Sequence, residues 1–159
     1  MQEHLIIDGN NALHTIPQLA KTLQRDRQMA RDDLLRMLEP LQARENCLLT
    51  VVFDGRGGKT TLTKHHGNEE YSIIYSSSSQ GADGVIEKMV MSAEFPERLT
   101  VGTNDNLIRN CAYTHGAAVM RVQEIIKKLD ASIELSKKKR GKVEKIDQRF
   151  ENRIPFPDE

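Results

Sequence analysis

No apolar run in this chain approaches the roughly 20 residues that a membrane-spanning helix needs, so no membrane span or membrane partner is expected. Cysteine is scarce. Cys47 and Cys111 fall inside apolar segments and lack metal-type spacing. Buried free thiols in a reducing cytosol are therefore expected, rather than a disulfide framework or a zinc motif. An excess charge of either sign is also missing: Lys+Arg and Asp+Glu both number 23. Whole-chain charge thus speaks neither for nor against nucleic acid, and any basic patch must be local. Met1-Gln2-Glu3-His4 leads straight into a short strand, so no signal peptide is expected; the expected location is cytoplasmic. Nothing repeats internally.

What is present fits one ordinary domain. The 159 residues suffice for a real core, and 38% of them are hydrophobic against 29% charged. Five apolar segments of strand length are predicted, at 4–8, 47–55, 71–76, 98–105 and 117–122. Helical spacing is predicted over 26–39, where Met29, Leu34, Leu35 and Leu38 share a face, and Pro40 ends or kinks that helix. Residues 77–95 read as a serine-rich turn leading into a helix with Val85, Ile86, Met89 and Val90 inward, and further helices are expected over 106–116 and 123–135. Residues 56–68 read as a polar, glycine-rich loop. Strands alternating with helices imply βαβ units and a mostly parallel sheet of about five strands. The expected domain covers 1–135. Residues 136–159 form a tail, basic at first and then of mixed charge; 136–145 carry six basic residues and one acid. Lys137, Lys138, Lys139 and Arg140 of that cluster are either a solvated extension or a contact for RNA or a ribosomal surface.

Three predicted strands end on aspartate: Asp8, Asp54 and Asp105. One aspartate after a strand is ordinary turn chemistry. Three suggest a shared cause, because all C-terminal strand ends of a parallel sheet face one edge, where ligands bind. Asp83 lies near the start of its helix, and Glu87, four residues on, shares its face. Carboxylates gathered in one cleft repel each other, unless some stay protonated or a cation neutralises them. Oxygen ligands select Mg²⁺ or Mn²⁺ rather than zinc. Such an ion can activate a water and draw charge from a phosphoryl oxygen, so an acidic cleft, a divalent metal and a phosphodiester form one chemical package.

Neighbouring polar residues admit two readings each. Asn10 and Asn11 either orient a water or phosphate or close a local turn. Ser76 to Ser79, Ser78 among them, either line a phosphate path or cap a helix. Thr103 and Asn104 precede Asp105 and would aim at the same water. Arg109 either holds a scissile phosphate or pairs with Asp105. Two other motifs fail. The Walker-like Gly58-Lys59-Thr60 lacks its first glycine, since Phe53 stands there, so no nucleotide cofactor is expected. An aspartyl-phosphate mechanism would want a second aspartate where Asn10 stands. Adjacent His65 and His66 read as polar surface.

IIDGNN, VVFDG, SSSSQGADGVIEKMV and VGTNDNLIRNCAYTHGA, in that order, resemble the YacP-like NYN domains of the PIN-like nuclease superfamily. The resemblance covers about residues 4–130. It implies a three-layer α/β/α sandwich of PIN type and a Mg²⁺- or Mn²⁺-dependent endoribonuclease. Carried over by motif, Asp8, Asp54, Asp83 and Asp105 are its acids and Asn11 its D-G-x-N asparagine. The expected catalytic set is these five; Asp8, Asp83, Asp105 and Glu87 would hold metal. Arg56, Lys59, Lys64, Ser78, Asn104, Arg109 and the cluster 137–140 would contact RNA. One departure stands out: the family commonly reads A-D-D where this chain has Ala82-Asp83-Gly84. A PIN-like module that binds RNA or the ribosome without cutting is therefore the alternative. A small-molecule phosphoesterase is a third reading. RNA preference and oligomeric state stay open.

Overall fold

Alternation along β1 (His4–Asp8) divides the molecule. Leu5 and Ile7 enter one core with Leu49, Val51, Phe53, Tyr71 and Ile73, while Ile6 enters another with Val52, Ile74, Leu99 and Val101. A sheet with an apolar core on each face must carry helices on both, which gives three layers. The computed structural model describes residues 2–131; the expected tail from 136, with Lys137, Lys138, Lys139 and Arg140, lies outside them, as does the end of the helix predicted over 123–135.

Among the described residues the sheet has six strands, one more than predicted. Besides β1 they are β2 (Leu48–Phe53), β3 (Thr61–Lys64), β4 (Tyr71–Tyr75), β5 (Leu99–Gly102) and β6 (Ala118–Met120), in the order β3-β4-β2-β1-β5-β6. All neighbours pair parallel except β3, which runs antiparallel to β4. The extra strand falls in the stretch read as a glycine-rich loop. All four of its residues are exposed, so it carries no buried alternation to betray it, and Lys64 on it suits an unpaired edge.

Helices α1 (Gly9–Thr15), α2 (Pro17–Arg25) and α3 (Arg27–Glu45) cover the first face, together with a last helix, α6, at 122–131. α4 (Gly81–Met91) and α5 (Asn106–Thr114) cover the second. α3 runs on through Pro40. Leu38 and Leu41 on either side are wholly buried, and that packing outweighs the ~3 kcal/mol an interior proline costs. Met29, expected inward, is 54% exposed. Cys47 is a buried free thiol as expected, whereas Cys111 is only half-buried.

Candidate active site

Register sets the site. Asp8 pairs with Val52 of β2, and Ile7 with Gly102 of β5. The chain therefore leaves β1, β2 and β5 at one level, and Asp8, Asp54, Thr103 and Asp105 follow on that edge. α1 begins directly on Asp8, whose carboxylate caps it by accepting from the Asn11 N–H (3.3 Å). No loop intervenes because Gly9 lets the backbone pass close to β2: a Cβ there would meet Phe53 at 2.4 Å.

Asp8 is 3% exposed. Its second oxygen accepts from the hydroxyl of Thr103 at 2.9 Å, and that hydroxyl in turn accepts from the backbone N–H of Asp105 at 3.1 Å. Burial pushes the Asp8 carboxyl up to about 6, and the charges of Asp83 and Asp105 push the same way against the bonds from Thr103 and Asn11. Asp105 caps α5, accepting from Leu107 N (2.9 Å) and Ile108 N (3.2 Å).

Asp54 reaches across to α4. One of its oxygens accepts from the Ala82 N–H at 2.7 Å, and the other accepts from the side-chain amide of Asn10. Gly81 makes the turn into α4 with φ +73, a left-handed value that suits glycine. Asp83, exposed in that first turn, is the hub of the group. Partial burial raises its pKa, and so do the charges of Asp105, Asp54 and Glu87. Five carboxylates from β1, the β2 exit, α4 and the α5 cap thus act on one another at one sheet edge.

The donor set fits a hard divalent cation: every candidate ligand is a carboxylate oxygen, and repulsion among them favours a cation in their midst. The carboxylates stand more widely apart than finished ligands. Among the described residues, three ligand atoms come within 4.8 Å of one another at Glu39, His65 and His66 instead. That cluster could coordinate a divalent metal, but it belongs to the opposite edge. His65 and His66 follow Lys64, which pairs with Ser72 near the start of β4, whereas Thr61 pairs with Tyr75 at its end. His65 is not the polar surface expected of it. It packs on Tyr71 (centroids 4.5 Å) and its Nε2 lies 2.9 Å from Glu39.

The remaining predicted residues divide. Arg56 and Lys59 are exposed on the loop beside Asp54. Lys64 lies at the far end of β3, donating to Ser72 (3.0 Å). Ser78 is exposed, its N–H bonded to Gly57 O (2.9 Å); Ser77 Oγ accepts from Gln80 N (3.2 Å), so the serine run organises the turn before α4. The side-chain oxygen of Asn11 accepts from Asn104 N (2.9 Å), and that of Asn104 from Val122 N (2.9 Å), so the two amides tie α1, the β5 exit and α6 together. Arg109 donates to the carbonyl of Thr103 (3.2 Å). Sequence reasoning missed Arg31, which donates to the Asp54 carbonyl (3.2 Å) from α3. The signal was the Arg27/Arg31 pair, one helical turn apart.

The chain matches the family described as YacP-like NYN domain over residues 5–155. It belongs to the YacP-like NYN domain family. That family lies within the PIN-like nuclease superfamily. A relative of this NYN domain is the uncharacterized protein YacP of Bacillus subtilis (strain 168), 25% identical over 151 residues, which are 94% of this chain and 80% of the relative. The crystal structure of Rae1 (YacP) from Bacillus subtilis superposes with a TM-score of 0.74 at 22% identity, covering 94% of this chain and 86% of that one. Its W164L mutant gives 0.75 at 23%, covering 90% and 84%. These two establish the shared fold: the three-layer, mostly parallel PIN-like sandwich. No helix among the described residues is long and apolar enough to cross a membrane.

Proposed function

We propose that this NYN domain is a metal-dependent endoribonuclease of the cytoplasm. The supporting observation is the mutual repulsion centred on Asp83, with Asp8 buried beside it and its pKa raised to about 6. A buried carboxylate among like charges is poorly placed for stability alone, and perturbed groups of this kind cluster at working sites. When bound, Mg²⁺ or Mn²⁺ supplies Lewis acidity, lowering the pKa of a water and drawing charge from a phosphoryl oxygen. Asp8, Asp83 and Asp105 would hold the ion, with Glu87 one turn along α4 as a further ligand. Asp54, fixed by Asn10 and the Ala82 N–H, borders the same space. Thr103 holds Asp8 and Asp105 in a fixed relation. Asn11 sets the β1–α1 turn against the β5 exit and so acts as a positioning residue.

Labelled RNA incubated with Mn²⁺, with and without EDTA, tests this. Metal-dependent product is expected from the parent protein and none from Asp8→Asn or Asp105→Asn. Full cleavage by both variants, in preparations free of contaminating nuclease, overturns it.

A second reading has its own motive. Gly84 removes one acid of the family motif, and Asp8, Asp54 and Asp105 already have local hydrogen-bond duties. The protein would then dock on RNA or a ribosome without cutting. Binding with no metal-dependent product would favour that reading.

A further inference from the structure

α3 sends Arg27 and Arg31 to the edge that bears Asp54. The Arg31 guanidinium lies over two aromatic rings, 5.5 Å from the centroid of Phe53 and 5.4 Å from that of Tyr75. Those rings stack on each other at 5.6 Å. The rings hold the guanidinium beside them, and one nitrogen donates to the Asp54 carbonyl. Its Nε is buried and has no hydrogen-bond partner among the described residues. Buried N–H groups are almost always paired, so a shift of the side chain toward an acceptor would satisfy it.

The surroundings indicate what kind of acceptor. A cleft of about 530 Å³ opens here, lined by Arg27, Arg31, Arg56 and Lys59 with Asp54 as its one carboxylate. None of these four cations pairs with a carboxylate among the described residues, whereas Arg36, further along α3, pairs with Asp33 at 3.2 Å. The volume lies within the roughly 300–1,000 Å³ typical of small-ligand sites, which is room for a nucleotide. Four cations around one acid call for an anion. Arginine's planar fork favours a phosphate, and the adjoining aspartates are where a neighbouring phosphate of the same strand would react.

We propose that this cleft is a substrate subsite for the RNA strand, in which Arg27, Arg31 and Lys59 hold a phosphodiester flanking the scissile one. The assignment rests on the ribonuclease reading given above and adds the direction in which the strand leaves the carboxylates, past Asp54 toward α3. Arg31 is the anchor, because its stacked guanidinium is already fixed in place. Arg56 and Lys59, exposed on the loop between β2 and β3, close over the strand's outer side.

Fluorescence anisotropy of a labelled single-stranded RNA, measured in EDTA so that nothing is cut, tests it. The variants are Arg31→Gln, the exposed pair Arg27→Gln with Lys59→Gln, and Arg36→Gln as the control outside the cleft. The expected result is a Kd raised about tenfold by Arg31→Gln, the size of one lost charge-assisted bond, and about a hundredfold by the pair, which loses two. The slope of log Kd against log salt should flatten by roughly 0.7 per lost phosphate contact. Arg36→Gln should bind as the parent does. The exposed pair covers the case in which Arg31→Gln perturbs folding. Parent-like Kd and slope in both cleft variants would overturn the subsite, as would absence of RNA binding by the parent. Competition by a mononucleotide serves as a further arm: tight mononucleotide binding with weak RNA binding would reassign the cleft and also overturn the proposal. Cleavage is read separately. Metal-dependent cutting with unchanged Kd in the variants sinks the subsite alone. Cleft-dependent binding with no cutting supports the subsite and sinks the nuclease.

Discussion

The Thr103 hydroxyl donates to the Asp8 carboxylate across 95 positions of chain, at 2.9 Å, in a wholly buried setting. The same oxygen receives the Asp105 N–H, so one side chain couples the exits of two neighbouring strands. Thr103→Val keeps the shape and removes both bonds. Buried partners left unsatisfied typically cost about 1–3 kcal/mol, more for a charged one. A loss of about that size is expected at neutral pH by chemical denaturation, together with a further rise in the Asp8 pKa seen by NMR titration. Unchanged stability and titration would show that the coupling is incidental.

Asp8 makes apo-protein stability depend on pH. Folded Asp8 keeps its proton up to about pH 6, against an ordinary value of 3.8. Between those values the folded state binds more protons than the unfolded chain. Stability therefore falls as pH rises through that window and levels off above it, a loss of about 3 kcal/mol at ~1.4 kcal/mol per pKa unit. Asp8→Asn removes the buried charge. It should melt higher than the parent above pH 6 without metal, and the gap should close toward pH 4. An equally large gap at both ends would place the effect elsewhere.

Most of the architecture was legible because its apolar segments are short, dense and bounded by Asp-Gly or serine turns. β1, β2, β4 and β5 lie where their apolar runs fall, and the acids at the ends of β1, β2 and β5 lie on one edge because parallel strands leave them no other. α1 and α2 carried no such mark. Gly9-Asn10-Asn11 are poor helix formers, and α1 exists because Asp8 caps it and Ala12 and Leu13 are buried. β3 was hidden by its polar faces. Arg31 and Glu39 were hidden for the opposite reason, since on a charged helix they look solvated. Only the tertiary structure brings one onto Phe53 and Tyr75 and the other onto His65.

Gly84 is a place where a second acid can be set beside Asp83. A Cβ there would meet only Gln80 Cγ at 3.0 Å, a flexible side chain that can give way. In the first turn of α4 a carboxylate also suits the helix dipole. Gly84→Asp is expected to lower the Mn²⁺ concentration needed for half-maximal cleavage, while adding repulsion in the metal-free protein. An unchanged Mn²⁺ requirement would mean that Glu87 already fills this role.

The cluster at the other edge predicts a distinct behaviour. Glu39, His65 and His66 mix imidazole nitrogen with carboxylate oxygen, a set that suits zinc or nickel better than magnesium. Calorimetry with Zn²⁺ should detect a site that His66→Ala abolishes and Asp8→Asn leaves alone. His66 is exposed, so its removal spares the core. Zn²⁺ binding that persists in His66→Ala would place the zinc site elsewhere.

The most direct measurement of the central claim is anomalous scattering from crystals soaked in Mn²⁺. A peak bounded by Asp8, Asp83 and Asp105 is predicted, absent in Asp8→Asn crystals soaked alike. No peak at that edge at saturating Mn²⁺, or one confined to Glu39, His65 and His66, would contradict it.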